Sequence, residues 1–206
     1  MIADPVEKEK IYTIEEYLEL EQFAEVKHEY RSGVLHAMAG GTLNHGIIAS
    51  NLSTEINLSL RRSGKQCTTF NSDVKVYIER FDRMIYPDVS VTCGELETNE
   101  KETVLKNPML LIEVLSQSTK NHDRSDKFEL YKSLPSFKEY VIVYQSIPKV
   151  LTWYKHNNGL WSISSIEGLD KKVYLHSIDA HLEMKYIYEK VRDLKDVEDI
   201  PLEQAY

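Results

Sequence analysis

A seven-residue apolar run broken by a single carboxylate constrains this chain more than any other feature. Met109-Leu110-Leu111-Ile112-Glu113-Val114-Leu115 fits a strand covered on both faces of a sheet. An unpaired buried carboxylate is too costly to persist, so a cation, a hydrogen-bond network or a proton must compensate Glu113. Upstream, Tyr86-Pro87-Asp88-Val89-Ser90-Val91 reads as a second strand. The period of two puts Tyr86, Asp88 and Ser90 on one face and Pro87, Val89 and Val91 on the other. Asp88 is therefore expected on a strand of the same sheet as Glu113.

Two carboxylates on neighbouring strands suit Mg²⁺ or Mn²⁺, because hard divalent cations prefer oxygen ligands. The backbone carbonyl of Val114 is the natural third ligand. Lys127 lies fourteen positions beyond Glu113, so a strand-loop-helix return can carry its ammonium back over the strand end. There it could orient a water or stabilise developing negative charge. Tyr131 follows one helical turn later on the same face, where its hydroxyl could hold Lys127 or a phosphate. The plainer alternatives are a turn acid after proline for Asp88 and a solvated helix lysine for Lys127.

The 206 residues suffice for one domain with a substantial core, and 42% hydrophobic with 28% charged residues is a soluble, globular balance. A formal net charge of -8 counts against a broad basic nucleic-acid surface but leaves room for a local basic cleft. The two cysteines, Cys67 and Cys93, show no metal-type spacing, which predicts free thiols in a reducing cytoplasm. The N-terminus lacks the apolar core of a signal peptide, and no stretch approaches a membrane span. No membrane partner is expected.

Thr13 and Glu16 have capping-box spacing for a helix running to about Gln22. Residues 27–38 read as a hairpin turning at Ser32-Gly33, with Glu29 in its first strand. Thr42 is placed to cap a long helix ending near Ser63-Gly64, with His45 in its first turn and Ile48, Leu52, Ile56 and Leu60 along one stripe. Residues 66–70, 74–79 and the Asp88 strand read as a β-meander, and residues 94–106 as a solvated loop. Residues 121–134 form a helix stopped by Pro135, with Phe128, Tyr131 and Leu134 on one side. Residues 139–144, 149–156 and 160–165 supply strands, the last two joined by Asn157-Asn158-Gly159. Trp153 and Trp161 flank that hairpin as core aromatics. Residues 182–191 are expected to form a terminal helix.

Several of these runs occur in order in a known family. Pro87-Asp88, the apolar strand with Glu113, the Glu-Val-Leu-Ser-x-Ser-Thr run from Glu113 to Thr119 and the Asp-Arg-x-x-Lys-x-x-x-Tyr run from Asp123 to Tyr131 resemble the Uma-type endonuclease family, within the restriction-endonuclease-like PD-(D/E)XK superfamily. The resemblance covers about residues 12–190. It implies an α/β (α+β) fold, a restriction-endonuclease-like mixed β-sheet flanked by helices. The chain then divides into an N-terminal segment (1–11), the restriction-endonuclease-like domain (12–191) and a polar C-terminal tail (192–206). The lysine that the superfamily places two residues after the acid is here Leu115, and the family pattern offers Lys127 instead.

The resemblance also brings Glu29, His45 and Asp73 toward the site: Glu29 as an extra metal ligand, His45 as a phosphate or water contact, Asp73 as a residue beside it. Their plain readings are a paired strand acid, a capping or core histidine and an Asx turn. The function so implied is Mg²⁺-dependent or Mn²⁺-dependent endonucleolytic hydrolysis of DNA by a cytoplasmic protein. A homodimer is expected by analogy with many nucleases of the superfamily. The competing readings are a catalytically silent nuclease fold that binds protein or nucleic acid and, more distantly, a phosphoesterase acting on small nucleotides.

Overall fold

Caps and turns start the first elements where local chemistry requires them. The computed structural model describes residues 10–115 and 123–195. Helix α1 (Ile14–Glu21) opens on a complete capping box: Glu16 N donates to Thr13 Oγ1 at 3.2 Å and Thr13 N to Glu16 Oε2 at 2.9 Å. Strands β1 (His28–Arg31) and β2 (Val34–Ala37) form a hairpin whose turn residues Ser32 and Gly33 both take positive φ, 47° and 91°. Helix α2 (Leu43–Ser63) is capped by Thr42 and stops at Gly64, whose φ of 66° ends the helical path.

The remaining elements are β3 (Cys67–Asn71), β4 (Lys75–Ile78), β5 (Arg83–Ile85), β6 (Val89–Cys93), β7 (Val104–Leu105), β8 (Leu110–Leu115), α3 (Asp123–Tyr131), β9 (Glu139–Tyr144), β10 (Lys149–Lys155), β11 (Trp161–Glu167), β12 (Lys172–Leu175), β13 (Ala180–Glu183) and α4 (Met184–Ile187). A six-stranded mixed sheet in the order β11-β10-β9-β8-β6-β3 forms the centre. A five-stranded sheet, β2-β1-β5-β4-β7, and the β12–β13 hairpin complete the strands. The α/β (α+β) expectation of a mixed sheet flanked by helices holds.

The central strand β8 is buried along its whole length, as its apolar run requires. Its even residues, Leu110, Ile112 and Val114, pack with Ile48, Leu52, Ile56 and Leu60 of α2. Each of those four helix side chains is worth about 1.5–3 kcal/mol as an upper estimate of burial. The odd residues Leu111 and Leu115 face the other way, into a second core with Tyr131 and Leu134. By the same alternation, Glu113 points toward α3.

Four expectations are corrected. β3 does not join a meander: it pairs with β6 in the central sheet, while β4 and β5 pair with each other in the five-stranded sheet. The expected solvated loop contains β7, buried and parallel to β4. The expected terminal helix over 182–191 shortens to the single turn α4, because Leu182 and Glu183 end β13, whose partner strand β12 was not anticipated. Cys67 and Cys93 are not free thiols. The β3–β6 register sets them directly opposite, and they form a disulfide. The loop after Glu113 and the helix start at Asn121 lie outside the described residues, as do residues 1–9 and 196–206. Among the described residues no helix is long and apolar enough to cross a membrane.

Candidate active site

The ladder between β6 and β8 pairs Val91 with Leu110, Ser90 with Leu111 and Val89 with Ile112. One rung further, Asp88 comes opposite Glu113. Asp88 itself lies in a bend just before β6 rather than within the strand, a small correction with a physical consequence. The backbone has left the ladder, so the Val114 N–H donates to Asp88 Oδ2 at 2.7 Å instead of to a strand carbonyl. Since the N–H and C=O of one strand residue leave on the same edge, the Val114 carbonyl also faces the Asp88 side.

Helix α3 supplies both partners of Glu113. Lys127 Nζ donates to Oε2 at 3.0 Å, and Tyr131 OH donates to Oε1 at 2.5 Å. Their spacing of four stacks them on one helix face. Leu115, at the position where the resemblance led to the expectation of a lysine, is committed to the apolar core. The ammonium arrives from the helix instead.

Helix α2 contributes His45, whose Nε2 donates to Asp88 Oδ2 at 3.1 Å. Gly41 makes this approach possible: a Cβ there would sit 2.9 Å from His45 Nδ1. The β1–β2 hairpin forms the opposite wall. Glu29 is held by Arg31 Nη2 at 2.7 Å and faces His36 across the hairpin. Asp88, Glu113, Lys127, His45, Glu29 and Arg31 thus line one open cleft of about 280 Å³. Asp73 stands apart, in the exposed β3–β4 turn, bound to Lys27 and Asn71.

Burial pushes the Glu113 carboxyl up to about 7. Lys127 opposes that rise, the Asp88 charge adds to it, and hydrogen bonds from Tyr131 and Lys127 again oppose it. Burial and the Glu113 charge raise the Tyr131 hydroxyl well above its ordinary value, so it remains a donor. The hydrogen bond with Asp88 raises His45, against the effect of burial. The site thus holds more negative charge than its own cations comfortably offset. Among the described residues no group of three or more His, Cys, Asp or Glu side chains is arranged to hold a metal ion. Two carboxylates and a carbonyl suit an ion that keeps several waters, as Mg²⁺ does.

Arg31, His36 and Tyr86 also line the cleft, and no functional role for them was read from the sequence. The period of two from Glu29 leads to Arg31, and the two-residue turn fixes His36 opposite Glu29, so the hairpin pattern carried this signal. The Arg31 Nε is buried with no hydrogen-bond partner. Tyr86 shares a face with Asp88, as its spacing implies, and its hydroxyl donates to Glu21 at 2.8 Å.

Comparison with known proteins gives the family and the fold. A family model described as "Uma2: Putative restriction endonuclease" matches residues 14–184. An uncharacterized protein of Synechocystis sp., slr1290, is 36% identical over 174 residues, 84% of this chain and 90% of that protein. A second, sll1609, is 31% identical over 165 residues, 80% and 92% of the two chains. A crystal structure from Anabaena variabilis, titled as a "putative nuclease belonging to DUF820", superposes with a TM-score of 0.67 at 18% identity, covering 85% of this chain and 97% of that one. At that identity the likeness establishes the fold.

Proposed function

The chain belongs to the Uma2 family, and from that premise we propose that it is a divalent-metal-dependent endonuclease hydrolysing phosphodiester bonds in DNA. The observation that carries this reading is the convergence of Asp88 and Glu113, one rung past a finished ladder, with Lys127 at 3.0 Å from Glu113 in an open cleft.

Asp88, Glu113 and the Val114 carbonyl are the residues that would hold Mg²⁺ or Mn²⁺. The fit rests on their hard oxygen donors and on the unfavourable burial of the Glu113 charge, which a cation would relieve. When bound, the ion supplies Lewis-acid polarisation of the phosphodiester and an acidified water. Tyr131 and Lys127 fix the Glu113 carboxylate in one orientation. Lys127 stands where its ammonium can orient a water or stabilise charge growing on phosphoryl oxygens. His45 holds Asp88 in place. Arg31, whose side chain keeps 39% exposure, can offer its outer guanidinium N–H groups to a backbone phosphate while Glu29 holds it. Arg31, His36, His45 and Lys127 put cationic and hydrogen-bonding groups into the cleft beside its three acids, in a chain of net charge -8, which gives a phosphate local partners.

The test is incubation of purified protein with supercoiled plasmid at low salt, in Mg²⁺, Mn²⁺ or chelator, beside Glu113→Gln prepared identically. Nicking that requires the metal and disappears in the variant is the expected result. Equal inertness of both proteins on DNA would replace this reading with that of a silent binding module. Cleavage surviving in Glu113→Gln would remove Glu113 from the chemistry.

A further inference from the structure

We propose that β11 is the surface through which two copies of this chain pair, antiparallel about a twofold axis at Ser164, extending the central sheet across both molecules. The inference is independent of the nuclease reading and rests on the chemistry of one sheet edge.

Among the described residues β11 is hydrogen-bonded on one side only, to β10. It is seven residues long, against five for β3 at the other end of the same sheet, and runs without a bulge from Trp161 to Glu167. Natural edge strands are usually blunted by a charge, a proline, a bulge or brevity. Trp161-Ser162-Ile163-Ser164-Ser165-Ile166 contains neither charge nor proline. Ile163 is 66% exposed on this strand, and Leu160 beside it is equally exposed. The other edge is guarded differently: β3 packs against α2 and is tied to β6 by the disulfide.

The backbone pattern supports self-pairing. His156 N donates to Leu160 O and Gly168 N to Pro148 O, which places the even residues of β11 on the β10 side of the ladder. The N–H and C=O groups of Trp161, Ile163, Ser165 and Glu167 therefore point outward. An antiparallel second copy centred on Ser164 sets Ile163 against Ser165 and Trp161 against Glu167, so all four outward residues exchange backbone hydrogen bonds. No shifted twofold register satisfies all four. Glu167, the one charge at the seam, is already held by Lys149 at 3.0 Å.

A single strand pair is a small contact, so the association should be weak and concentration-dependent. Sedimentation velocity of the full chain over a hundredfold range of concentration tests it. The expected result is a monomer–dimer equilibrium whose dissociation constant rises at least tenfold in Ile163→Lys. This exposed substitution makes the net charge less negative, so reduced charge repulsion cannot explain the loss. Register is tested separately with Ser164→Cys under mild oxidation. Ser164 faces its own copy in a non-hydrogen-bonded pair about 4.5 Å apart between Cα atoms, within disulfide range. A covalent dimer is expected from Ser164→Cys and not from Ser162→Cys. A monomer at every concentration overturns the proposal, as does a dimer that Ile163→Lys leaves intact or that Ser164→Cys does not trap.

Discussion

Glu113 and Glu139 are buried glutamates on neighbouring parallel strands, and their surroundings differ in kind. Glu139 is fully enclosed, at 0% exposure, and its oxygens accept from His176 N at 3.0 Å, Ser177 N at 2.8 Å and Ser177 Oγ at 2.7 Å. These three neutral donors belong to the turn between β12 and β13, which the carboxylate pins to the sheet. Glu113, at 7% exposure, is met by an ammonium and a phenol and has Asp88 as an acidic neighbour in an open cleft. Register puts Glu139 opposite Leu110 and Glu113 opposite Ile142, so the two acids are about 10 Å apart along the sheet and on opposite faces. Burial raises the pKa of both. A raised pKa therefore does not distinguish a structural acid from a functional one. The partners do: neutral donors saturate Glu139, whereas charged groups around Glu113 leave a balance that a cation could shift.

Substitutions should separate the two acids cleanly. The largest effect expected is on catalysis: Glu113→Gln should lower metal-dependent plasmid cleavage by about a thousandfold or more, on the order of 4 kcal/mol, while the melting curve stays cooperative. Next, Glu139→Ala should cost about 3 kcal/mol of stability by leaving three donors unpaired, measured by denaturant unfolding. Its cleavage rate, measured well below its melting temperature, should stay within about twofold of wild type. A large catalytic loss in Glu139→Ala would break the distinction.

The pH dependence sharpens the contrast. Because the folded Glu113 carboxyl is raised from 4.5 to about 7, the native state binds its proton more tightly than the unfolded chain does. Its contribution to stability is full below 4.5 and is lost as pH rises through about 7. Metal-free wild type should therefore lose stability relative to Glu113→Gln across that window, read from denaturant midpoints at successive pH values. A parallel pair of profiles would contradict the burial cost assigned to Glu113. The smallest effect belongs to Tyr131→Phe. Removal of one donor to Glu113 should cost about 1 kcal/mol and about tenfold in cleavage rate, separable by unfolding and by plasmid assay.

Much of this site was legible because its parts are local patterns. The apolar run around Glu113 demanded a partner, the four-residue step from Lys127 to Tyr131 put two donors on one helix face, and Thr42 marked the helix start that carries His45. Period-two reading placed Asp88 on the correct face although the strand begins one residue later. What escaped depends on long-range register. The Cys67–Cys93 bond follows from β3 pairing with β6 rather than with its sequence neighbour β4, a register that no local pattern announces. Strands β12 and β13 have four residues each, joined by a turn without glycine or proline, so neither periodicity nor punctuation announces them. Glu139 was read as a strand residue and nothing more, because its donors sit in that unannounced turn.

The most direct test of the difference between the two acids is calorimetric titration of Mn²⁺ into metal-free wild type, Glu113→Gln and Glu139→Gln, each first verified to melt cooperatively. Saturable binding in wild type and Glu139→Gln, with its loss in Glu113→Gln, is the predicted result. Binding of equal affinity in Glu113→Gln would contradict the account and move the cation away from the Asp88–Glu113 pair.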